Sequence, residues 1–425
     1  MNAPLATPGV ADKHLKSRAP QGVTWIFLSF ALAYFLSALV RGVTATLAPA
    51  FSAELGLGAG DLGLLAGAYF FGFAATQLPL GSALDRFGPR RVLLALLVVA
   101  ILGCAAFGLA TSFTGLTLAR ALIGVGVSAC LMAPLTLFRH RFSLVAQLRA
   151  NSWMLMAGSL GMVASTLPVQ WLLPALGWRG LFWLLAAMFG LSTAVIAWTT
   201  PADGPIQSPS SGPASGFPEV FRHPTFVRLA PLAFFQYGGM IAVQSLWAGP
   251  WLVQVCGWSP SQAAQGLFGI NVAMLVSFMA WGVLVPRLYA RGWTAQQLIT
   301  YGLPLSLAAL LLALCLGRHA TAWAWALFCV TSTVISLSQP AIGQAFPTAL
   351  AGRALTAYNL LIFVGVFVLQ WGMGLAIDLF LAWGWGVVSA YRGAFALLAG
   401  CCTLSYVWFL CCEDRLMAPD LKVSA

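Results

Sequence analysis

The stretch GSALDRFGPRR, from Gly81 to Arg91, is a charged loop between two strongly apolar runs. Asp85 stands where the first run ends. The basic residues behind it are Arg86, Arg90 and Arg91. Gly88 permits a tight turn, because glycine adopts backbone angles that other residues avoid. Gly81 lets two helices approach closely, as small residues do within membranes. The stretch therefore predicts a short basic loop between two membrane-spanning helices.

The composition is that of a membrane protein. Of the 425 residues, 60% are hydrophobic and only 7% are charged, whereas about 25% of the residues of a soluble domain are charged. So few charges do not cover a water-facing surface, which excludes a soluble enzyme. The net charge is +11, but the basic residues lie in short loops rather than on one face, which excludes a nucleic-acid-binding protein.

Apolar runs of about 20 residues, the length that crosses a bilayer, occur twelve times. They lie at 24–50, 61–80, 92–112, 116–137, 151–174, 180–199, 229–253, 264–285, 297–316, 321–345, 355–381 and 393–411. With a cytoplasmic N terminus, sixteen of the 21 Lys and Arg residues fall in cytoplasmic loops and tails and three in outer loops. This bias predicts twelve spans with both termini cytoplasmic.

The segment PADGPIQSPSSGPASGFPEVF, from Pro201 to Phe221, is rich in Pro, Gly and Ser and is typical of a flexible linker. It divides the chain into two halves of six spans, which carry similar features in the same order. The predicted parts are a cytoplasmic tail 1–23, a first bundle 24–200, a cytoplasmic linker 201–228, a second bundle 229–411 and a cytoplasmic tail 412–425. Such a repeat places a cavity between the bundles near the membrane centre.

The pattern G-x-x-x-D-R-x-G-x-R-R resembles the signature loop of the major facilitator superfamily, and the resemblance covers all twelve spans. It implies an all-α membrane protein with two pseudo-symmetric six-helix bundles. In the family this loop forms a cytoplasmic charge network that holds the outward-facing state. The resemblance thus implies a conformational gating role for Gly81, Asp85, Arg86, Gly88 and Arg90. The loop of the second half keeps Gly282 and Arg287 but has Pro286 where Asp85 stands.

The fourth span carries a second element of the same resemblance. Its sequence LARALIGVGVSA resembles the family's R-x-x-x-G-x-G element through Arg120, Gly124 and Gly126. Two interpretations of Arg120 are open. Its side chain snorkels to the nearby outer interface, or it has a conformational or proton-linked gating role.

Arg41 lies within the apolar stretch SALVRGVTATLAP, from Ser37 to Pro49. About ten residues at ~1.5 Å each place it roughly 15 Å from the outer end of its span, near the middle of a ~30 Å core. A guanidinium there costs at least ~2.5–3.5 kcal/mol. The first six spans contain no acid at that depth, so we expect Arg41 to face a watery cavity and bind an anion rather than pair with a buried carboxylate.

A narrower resemblance supports this expectation. ALVRGVTATLAP and the following GDLGLLAGAYFFGFA resemble the opening of the organophosphate/phosphate antiporter branch and its sugar-phosphate sensors, in which the first-span arginine contacts substrate phosphate. Gln236 stands where that branch has a second phosphate-binding arginine, and Ala157 stands near its span-five histidine. With half of the countercharge lost, we expect a weaker anion, a carboxylate or zwitterion, held bidentately by one guanidinium.

Further polar residues of the spans are candidates for the cavity wall, although each is equally suited to bonding between helices. The predicted substrate-binding residues beside Arg41 are Gln236, Tyr237, Gln244, Trp247 and Asn359. Asp378, in the outer part of the eleventh span, is the candidate for proton coupling. Its alternative is a simply solvated outer-end aspartate.

The predicted function is secondary transport across a bacterial inner membrane, not enzymatic catalysis. A small organic anion or zwitterion would move inward by alternating access, driven by proton symport or exchange, because the sequence lacks the G-x-x-x-x-G-K-[ST] nucleotide-binding motif. The expected partners are this substrate, protons and the lipid bilayer, without nucleic acid or cofactor, and the chain is expected to be a monomer. Two alternatives are a multidrug or metabolite efflux permease and a membrane sensor that keeps the fold.

Overall fold

The computed structural model describes residues 20–142, 144–201 and 217–417, and these form helices joined by short connections. The first six spans are built from Pro20–Leu55, Ala59–Phe87, Pro89–Leu109, Phe113–Val127 with Met132–Arg141, Leu144–Ala164 and Leu167–Thr199, and the last of these helices contributes to both span 5 and span 6. The second six consist of Pro224–Gln254, Pro260–Ala290, Ala295–Leu316, Ala322–Ala345, Thr348–Ala382 and Val387–Met417. The short elements are the helix Phe217–Arg222 and the 3-10 turn Gly317–His319.

All twelve predicted spans are helical within the described residues, although the helix Leu167–Thr199 runs through the boundary between spans 5 and 6. Eleven helices of the described residues are long and apolar enough to cross a membrane. Within Leu167–Thr199, Gly177 has a φ of 61° and a ψ of 171°, which is not helical and which favours glycine. The residues before Gly177 complete span 5, which begins with Leu144–Ala164, and the residues after it form span 6.

Helices begin outside the apolar runs because capping residues, rather than hydrophobicity, set their ends. Span 8 begins at Pro260, four residues before the predicted position 264. The hydroxyl of Ser259 accepts a hydrogen bond from the N–H of Gln262 at 3.3 Å, and the Gln262 side chain accepts one from the N–H of Ser259 at 2.9 Å. This reciprocal pair satisfies two N–H groups that the first helical turn leaves free.

The turn predicted at Gly88 is confirmed, and the second half repeats it. Gly88 ends span 2 and precedes span 3 with a φ of 86°. Gly292, in the loop between spans 8 and 9, has the same φ of 86°. The repeat of the two halves is therefore visible in backbone geometry, even though Pro286 replaces the aspartate of the loop.

The end of the predicted linker is helical, which corrects the expectation that it is flexible along its whole length. Residues 202–216, like the tails 1–19 and 418–425, lie outside the described residues. The helix Phe217–Arg222 buries Val220 completely in the core of the second bundle. Span 7 then begins at Pro224, before the predicted position 229. The outer limits of the two bundles stay predictions.

Spans 4 and 10, which correspond in the repeat, are both interrupted near their middle. Span 4 is broken between Val127 and Met132, and span 10 contains the 3-10 segment Thr333–Leu337. Each break precedes a proline, Pro134 or Pro340. Proline has no N–H to donate to the carbonyl four residues earlier, and its ring collides with that carbonyl. The two prolines therefore explain the two breaks.

Spans 2 and 11 form the closest seam between the bundles. A Cβ atom on Gly63 would overlap the carbonyl oxygen of Gln370, and one on Gly374 would overlap the carbonyl oxygen of Ala59. Only glycine leaves room for backbones at this separation, as in other close membrane-helix pairs. The seam continues to the tilted ring pair Phe73 and Phe363, whose ring centroids are 4.4 Å apart.

The two ends of the molecule differ. We call them the Asp378 end, where the seam is closed, and the Asp85 end. Toward the Asp85 end, a Cβ on Gly81 of span 2 or on Gly352 of span 11 would meet no atom within 4 Å. Gly81 is therefore not at a close helix contact in this structure, which corrects that expectation. The close contacts described between spans 2 and 11 run from Asp378 to Phe363, and we infer from this that the cavity between the bundles opens toward the Asp85 end.

Candidate functional site

Arg41 lies midway along span 1, at the boundary between the two bundles. Its side chain is half-buried, and it makes no ion pair within the described part of the chain. It lies within electrostatic range of the hydroxyl groups of Tyr69, in its own bundle, and of Tyr237, in span 7 of the other bundle. Arg41 and Tyr237, two of the predicted substrate-binding residues, thus belong to different bundles and lie within electrostatic range of each other.

Tyr34 joins this pair, and sequence reasoning missed it. It is half-buried, and its hydroxyl lies within electrostatic range of that of Tyr237. Its ring packs where a Cβ of Gly158, in span 5, would otherwise lie. The available signal was spacing, since Tyr34 precedes Arg41 by seven residues and so shares a helix face with it.

Arg120 is fully buried, so it does not snorkel to the interface. Its side chain is 1% exposed, and its Nη2 donates to the Thr44 hydroxyl at 2.5 Å and to the Arg41 carbonyl oxygen at 3.4 Å. Its guanidinium carbon lies 5.2 Å from the centroid of the Tyr69 ring. Nε and Nη1 find no partner among the described residues. A second guanidinium without a described carboxylate partner thus lies against the backbone of Arg41.

The two glycines after Arg120 explain how it reaches this position. A Cβ on Gly124 would overlap the carbonyl oxygen of Tyr69 in span 2, and a Cβ on Gly126 would overlap the backbone of Ala100 in span 3. Span 4 is therefore pressed against both neighbours. The R-x-x-x-G-x-G element acts as a packing device that holds the guanidinium inside the first bundle.

Gln236 is buried inside the second bundle in this structure, and its predicted contact with substrate stays a prediction. It is 1% exposed, and its Nε2 donates to the Ser306 hydroxyl at 2.7 Å, which lies 2.7 Å from the Ser332 hydroxyl. These contacts lie within the second bundle. Residues 232–237 form a π-helical segment, whose wider turn rotates side chains away from the faces that a 3.6-residue period predicts.

The remaining predicted binding residues bond to neighbouring helices. Gln244 donates to the Asn271 side chain at 2.8 Å, and Asn359 accepts from the Gln339 side chain at 2.7 Å. All except Asn271 are half-buried. Trp247 is fully buried against Tyr391 in the second bundle, with ring centroids 6.3 Å apart. The predicted substrate contacts of Gln244, Trp247 and Asn359 stay predictions.

The residues of the signature loop lie apart from this site. Asp85 and Arg86 are exposed, and Asp85 makes no hydrogen bond or ion pair with the residues that the structure describes. Arg90 donates from Nη2 to the Ala197 carbonyl oxygen at 2.7 Å, near the end of span 6. A cation at a helix C terminus is favourable, so Arg90 ties span 3 to span 6. The gating role of the loop stays a prediction.

Asp378 is not simply solvated. It is half-buried in span 11, and its Oδ1 accepts from the N–H of Ala59 at 3.1 Å. Its Oδ2 accepts from the N–H of Gly60 at 2.7 Å. These are the first two residues of span 2, so this carboxylate bridges the two bundles at the Asp378 end.

Known proteins are similar to this chain at several levels. It is 26% identical over 194 residues to the "Probable L-galactonate transporter" of Escherichia coli (strain K12), which covers 45% of this chain and 42% of that protein. It is 27% identical over 281 residues to the "Cis,cis-muconate transport protein" of Acinetobacter baylyi, covering 60% and 66%. These matches span less than two thirds of either protein. It is also 28% identical over 343 residues to "Multidrug resistance protein MdtM" of Salmonella typhimurium, covering 77% and 78%.

The fold is that of a solved transporter structure, and a family model matches most of the chain. The structure is an inward-facing, unoccupied bacterial homologue of the human lysosomal transporter Spinster. The TM-score is 0.76 at 18% identity, over 93% of this chain and 98% of that one. The family model described as "Major Facilitator Superfamily" matches residues 30–370. Together with the twelve spans and the repeated halves, this match means that the chain belongs to the major facilitator superfamily.

Proposed function

We propose that this protein is a secondary transporter for a small organic anion, a carboxylate or a zwitterion, with both termini in the cytoplasm of a bacterial cell. The observation that carries the proposal is Arg41: a half-buried guanidinium at the bundle boundary, without an ion-pair partner among the described residues. An arginine at this depth is costly unless it has a functional partner. A substrate carboxylate supplies that partner and matches the planar guanidinium bidentately.

Residues from both bundles contribute to binding in this proposal. Arg41 and Tyr34 lie on span 1, and Tyr237 lies on span 7 within electrostatic range of both. An anion held by Arg41 and hydrogen-bonded by the Tyr237 hydroxyl contacts both bundles at once. Occupancy then favours closure of the cavity around the substrate, which is the step that alternating access requires.

Charge favours an anion over a cationic drug. Neither Arg41 nor Arg120, whose side chain contacts the Arg41 backbone, pairs with a described carboxylate. A guanidinium in a low-dielectric setting repels another cation strongly. The galactonate and muconate transporters among its relatives carry organic acids in their names, which supports this class of substrate.

Efflux is the second candidate, because the multidrug resistance protein MdtM aligns over 77% of the chain. The direction of transport separates the two candidates. With the Asp85 end cytoplasmic, as the basic loops predict, the cavity opens to the cytoplasm in this structure. We propose uptake driven by proton symport or exchange as the working cycle.

A ligand screen followed by transport tests this proposal. Purified protein is screened by thermal shift against sugar acids, dicarboxylates, aromatic carboxylates, amino acids and organic cations. Stabilising compounds are then tested for accumulation in proteoliposomes with and without an inside-alkaline pH gradient. Accumulation of a carboxylate supports the proposal. Stabilisation by organic cations alone, with gradient-driven export, favours efflux, and binding without transport in either direction favours a sensor.

A further inference from the structure

A carboxylate of the second bundle caps a helix of the first bundle. The Asp378 side chain, on span 11, accepts the N–H groups of Ala59 and Gly60 with its two oxygens, at 3.1 and 2.7 Å. These donors begin span 2, after the extended residue Gly58. The contact joins residues 318 and 319 positions apart in the chain. It therefore exists only while the two bundles touch at this end.

Two properties of a helix N terminus make this hydrogen-bonded contact strong. The first N–H groups of a helix have no partner within the helix, and the helix dipole adds partial positive charge there. A carboxylate satisfies both demands, and its hydrogen bonds are stronger than those between neutral groups. When the bundles separate at this end, water must replace the carboxylate.

Asp61 provides an internal comparison. Asp61 lies in the first turn of span 2, whereas Asp378 lies on span 11. The Asp61 carboxylate accepts the N–H of Gly58, the residue that precedes its own helix, at 3.1 Å. Its contact survives when the bundles separate. Of these two aspartates, Asp378 is the one whose hydrogen bonds depend on the closed seam.

Glycines around Asp378 allow spans 2 and 11 to approach closely in this closed state. A Cβ on Gly60 would lie 2.7 Å from the Asp378 Oδ2, so glycine is needed for the carboxylate to reach the backbone. One turn before Asp378, Gly374 lets its own backbone reach that of Ala59. At the opposite end of the same helix pair, Asp85 is exposed, and a Cβ on Gly81 or Gly352 would meet no atom within 4 Å.

We propose that Asp378 is a positioning residue for the transport cycle: a latch that holds the Asp378 end closed and is released whenever that end opens. With the predicted orientation, the latch stabilises the inward-facing state. The proposal requires that the proposed transporter works by alternating access, but it does not depend on which substrate is carried. The same helix pair then has an aspartate for each end, Asp378 for this state and Asp85 for the opposite one.

Distance measurements on purified protein without substrate test the latch. Spin labels at Ala53 and Ser389, both exposed and in opposite bundles at the Asp378 end, are introduced into a cysteine-free background. Asp378→Asn removes the charge and one acceptor oxygen. Because hydrogen bonds to a charged group contribute about 1.5–3 kcal/mol, we expect roughly a tenfold or greater rise in the long-distance population. Asp378→Glu is expected to restore part of the short-distance population.

A second variant approaches the contact from the donor side. Ala59→Pro removes the N–H that Asp378 Oδ1 accepts, and proline is well tolerated at the first helical position. The extended Gly58, with φ −73° and ψ 179°, is compatible with a following proline. We expect a shift in the same direction as with Asp378→Asn but smaller.

Asp61→Asn is the matched control and is expected to leave the distance distribution unchanged. Unaltered distributions in both Asp378→Asn and Ala59→Pro would overturn the proposal, and so would an equal shift in Asp61→Asn. If Asp378→Asn does not yield folded protein, the Ala59→Pro result alone decides. Because the readout needs no substrate, a failure of the latch is distinguishable from a wrong substrate class.

Discussion

Arg120 in span 4 donates a hydrogen bond of 2.5 Å to the hydroxyl of Thr44 in span 1, and the same nitrogen lies 3.4 Å from the carbonyl oxygen of Arg41. The contact holds the Arg120 side chain against the backbone of Arg41, and no described carboxylate pairs with either arginine. Both arginines belong to the first bundle, and Arg41 also lies within electrostatic range of Tyr237 in the second. We expect an anion bound beside Arg41 to supply the countercharge that the described residues do not.

Replacing Arg41 should remove substrate binding without unfolding the protein. Losing one partner of a buried charged pair costs about 2–5 kcal/mol, so Arg41→Ala should weaken binding by roughly 100-fold and abolish uptake. Arg41→Lys keeps the charge but loses the planar fork, and should recover little activity. Calorimetric binding and proteoliposome uptake measure both variants.

The control for Arg41 is Arg318→Ala, which removes an exposed arginine from the loop between spans 9 and 10. It should bind and transport normally. Normal uptake by Arg41→Ala would end the anion-site hypothesis.

Removing the Thr44 hydroxyl should destabilise the first bundle. Thr44→Val keeps the shape but withdraws the acceptor from a buried charged donor, which costs about 1–3 kcal/mol. Thermal unfolding of the purified protein should therefore shift to lower temperature. Thr331→Val is the matched control, because the Thr331 hydroxyl bonds only to carbonyls of its own helix. Equal effects of the two substitutions would argue against a special role for the Thr44 contact.

The fold was largely predictable because its signals are local. A bilayer imposes a length on every span, and basic residues and prolines mark the ends and breaks. The charged loop at Gly88 turns as expected. What local patterns missed were helix ends set by caps, as at Ser259, and the folding of Val220 onto the second bundle, which depends on contacts far away in the chain.

The candidate site was predictable only in part. An isolated charge in an apolar run is an energetic anomaly, and this singled out Arg41. A regular helix period predicts which face a residue presents, and the π-helical segment of span 7, which holds Gln236 and Tyr237, lacks that period. The burial of Gln236 was therefore not predictable from its spacing. The contact of Asp378 with Ala59 joins opposite halves of the chain, and no periodicity in one sequence indicates it.

Gly63→Ala should force spans 2 and 11 apart, because it adds a methyl group at their closest approach. The new Cβ would overlap the Gln370 carbonyl oxygen, and overpacking costs about 1–3 kcal/mol. Gly63→Ala should therefore favour opening at the Asp378 end roughly tenfold and slow transport. Labels at Ala53 and Ser389 measure the opening. Gly372→Ala is the control, since a Cβ there meets no atom within 4 Å. An unchanged Ala53–Ser389 distance distribution in Gly63→Ala, or a shift toward longer distances in Gly372→Ala, would contradict this account.

Asp85→Asn should slow the transport cycle without weakening substrate binding. Asp85 is exposed and makes no contact within the described residues in this state, so its removal leaves this state and its binding site unchanged. The charge network that its loop resembles holds the opposite state. We expect lower turnover in proteoliposomes with an unchanged Kd, whereas unchanged turnover with a raised Kd would contradict the prediction.

A double variant that carries both Asp85→Asn and Asp378→Asn tests this prediction most directly. Asp85→Asn should raise the fraction of protein closed at the Asp378 end, and Asp378→Asn should lower it. The two sites lie at opposite ends of one helix pair and share no partner, so their free-energy effects should add. The double variant should therefore return the Ala53–Ser389 distance distribution toward that of the unmodified protein while transport stays slow. A double variant that matches either single variant would mean that the two aspartates do not act on one equilibrium.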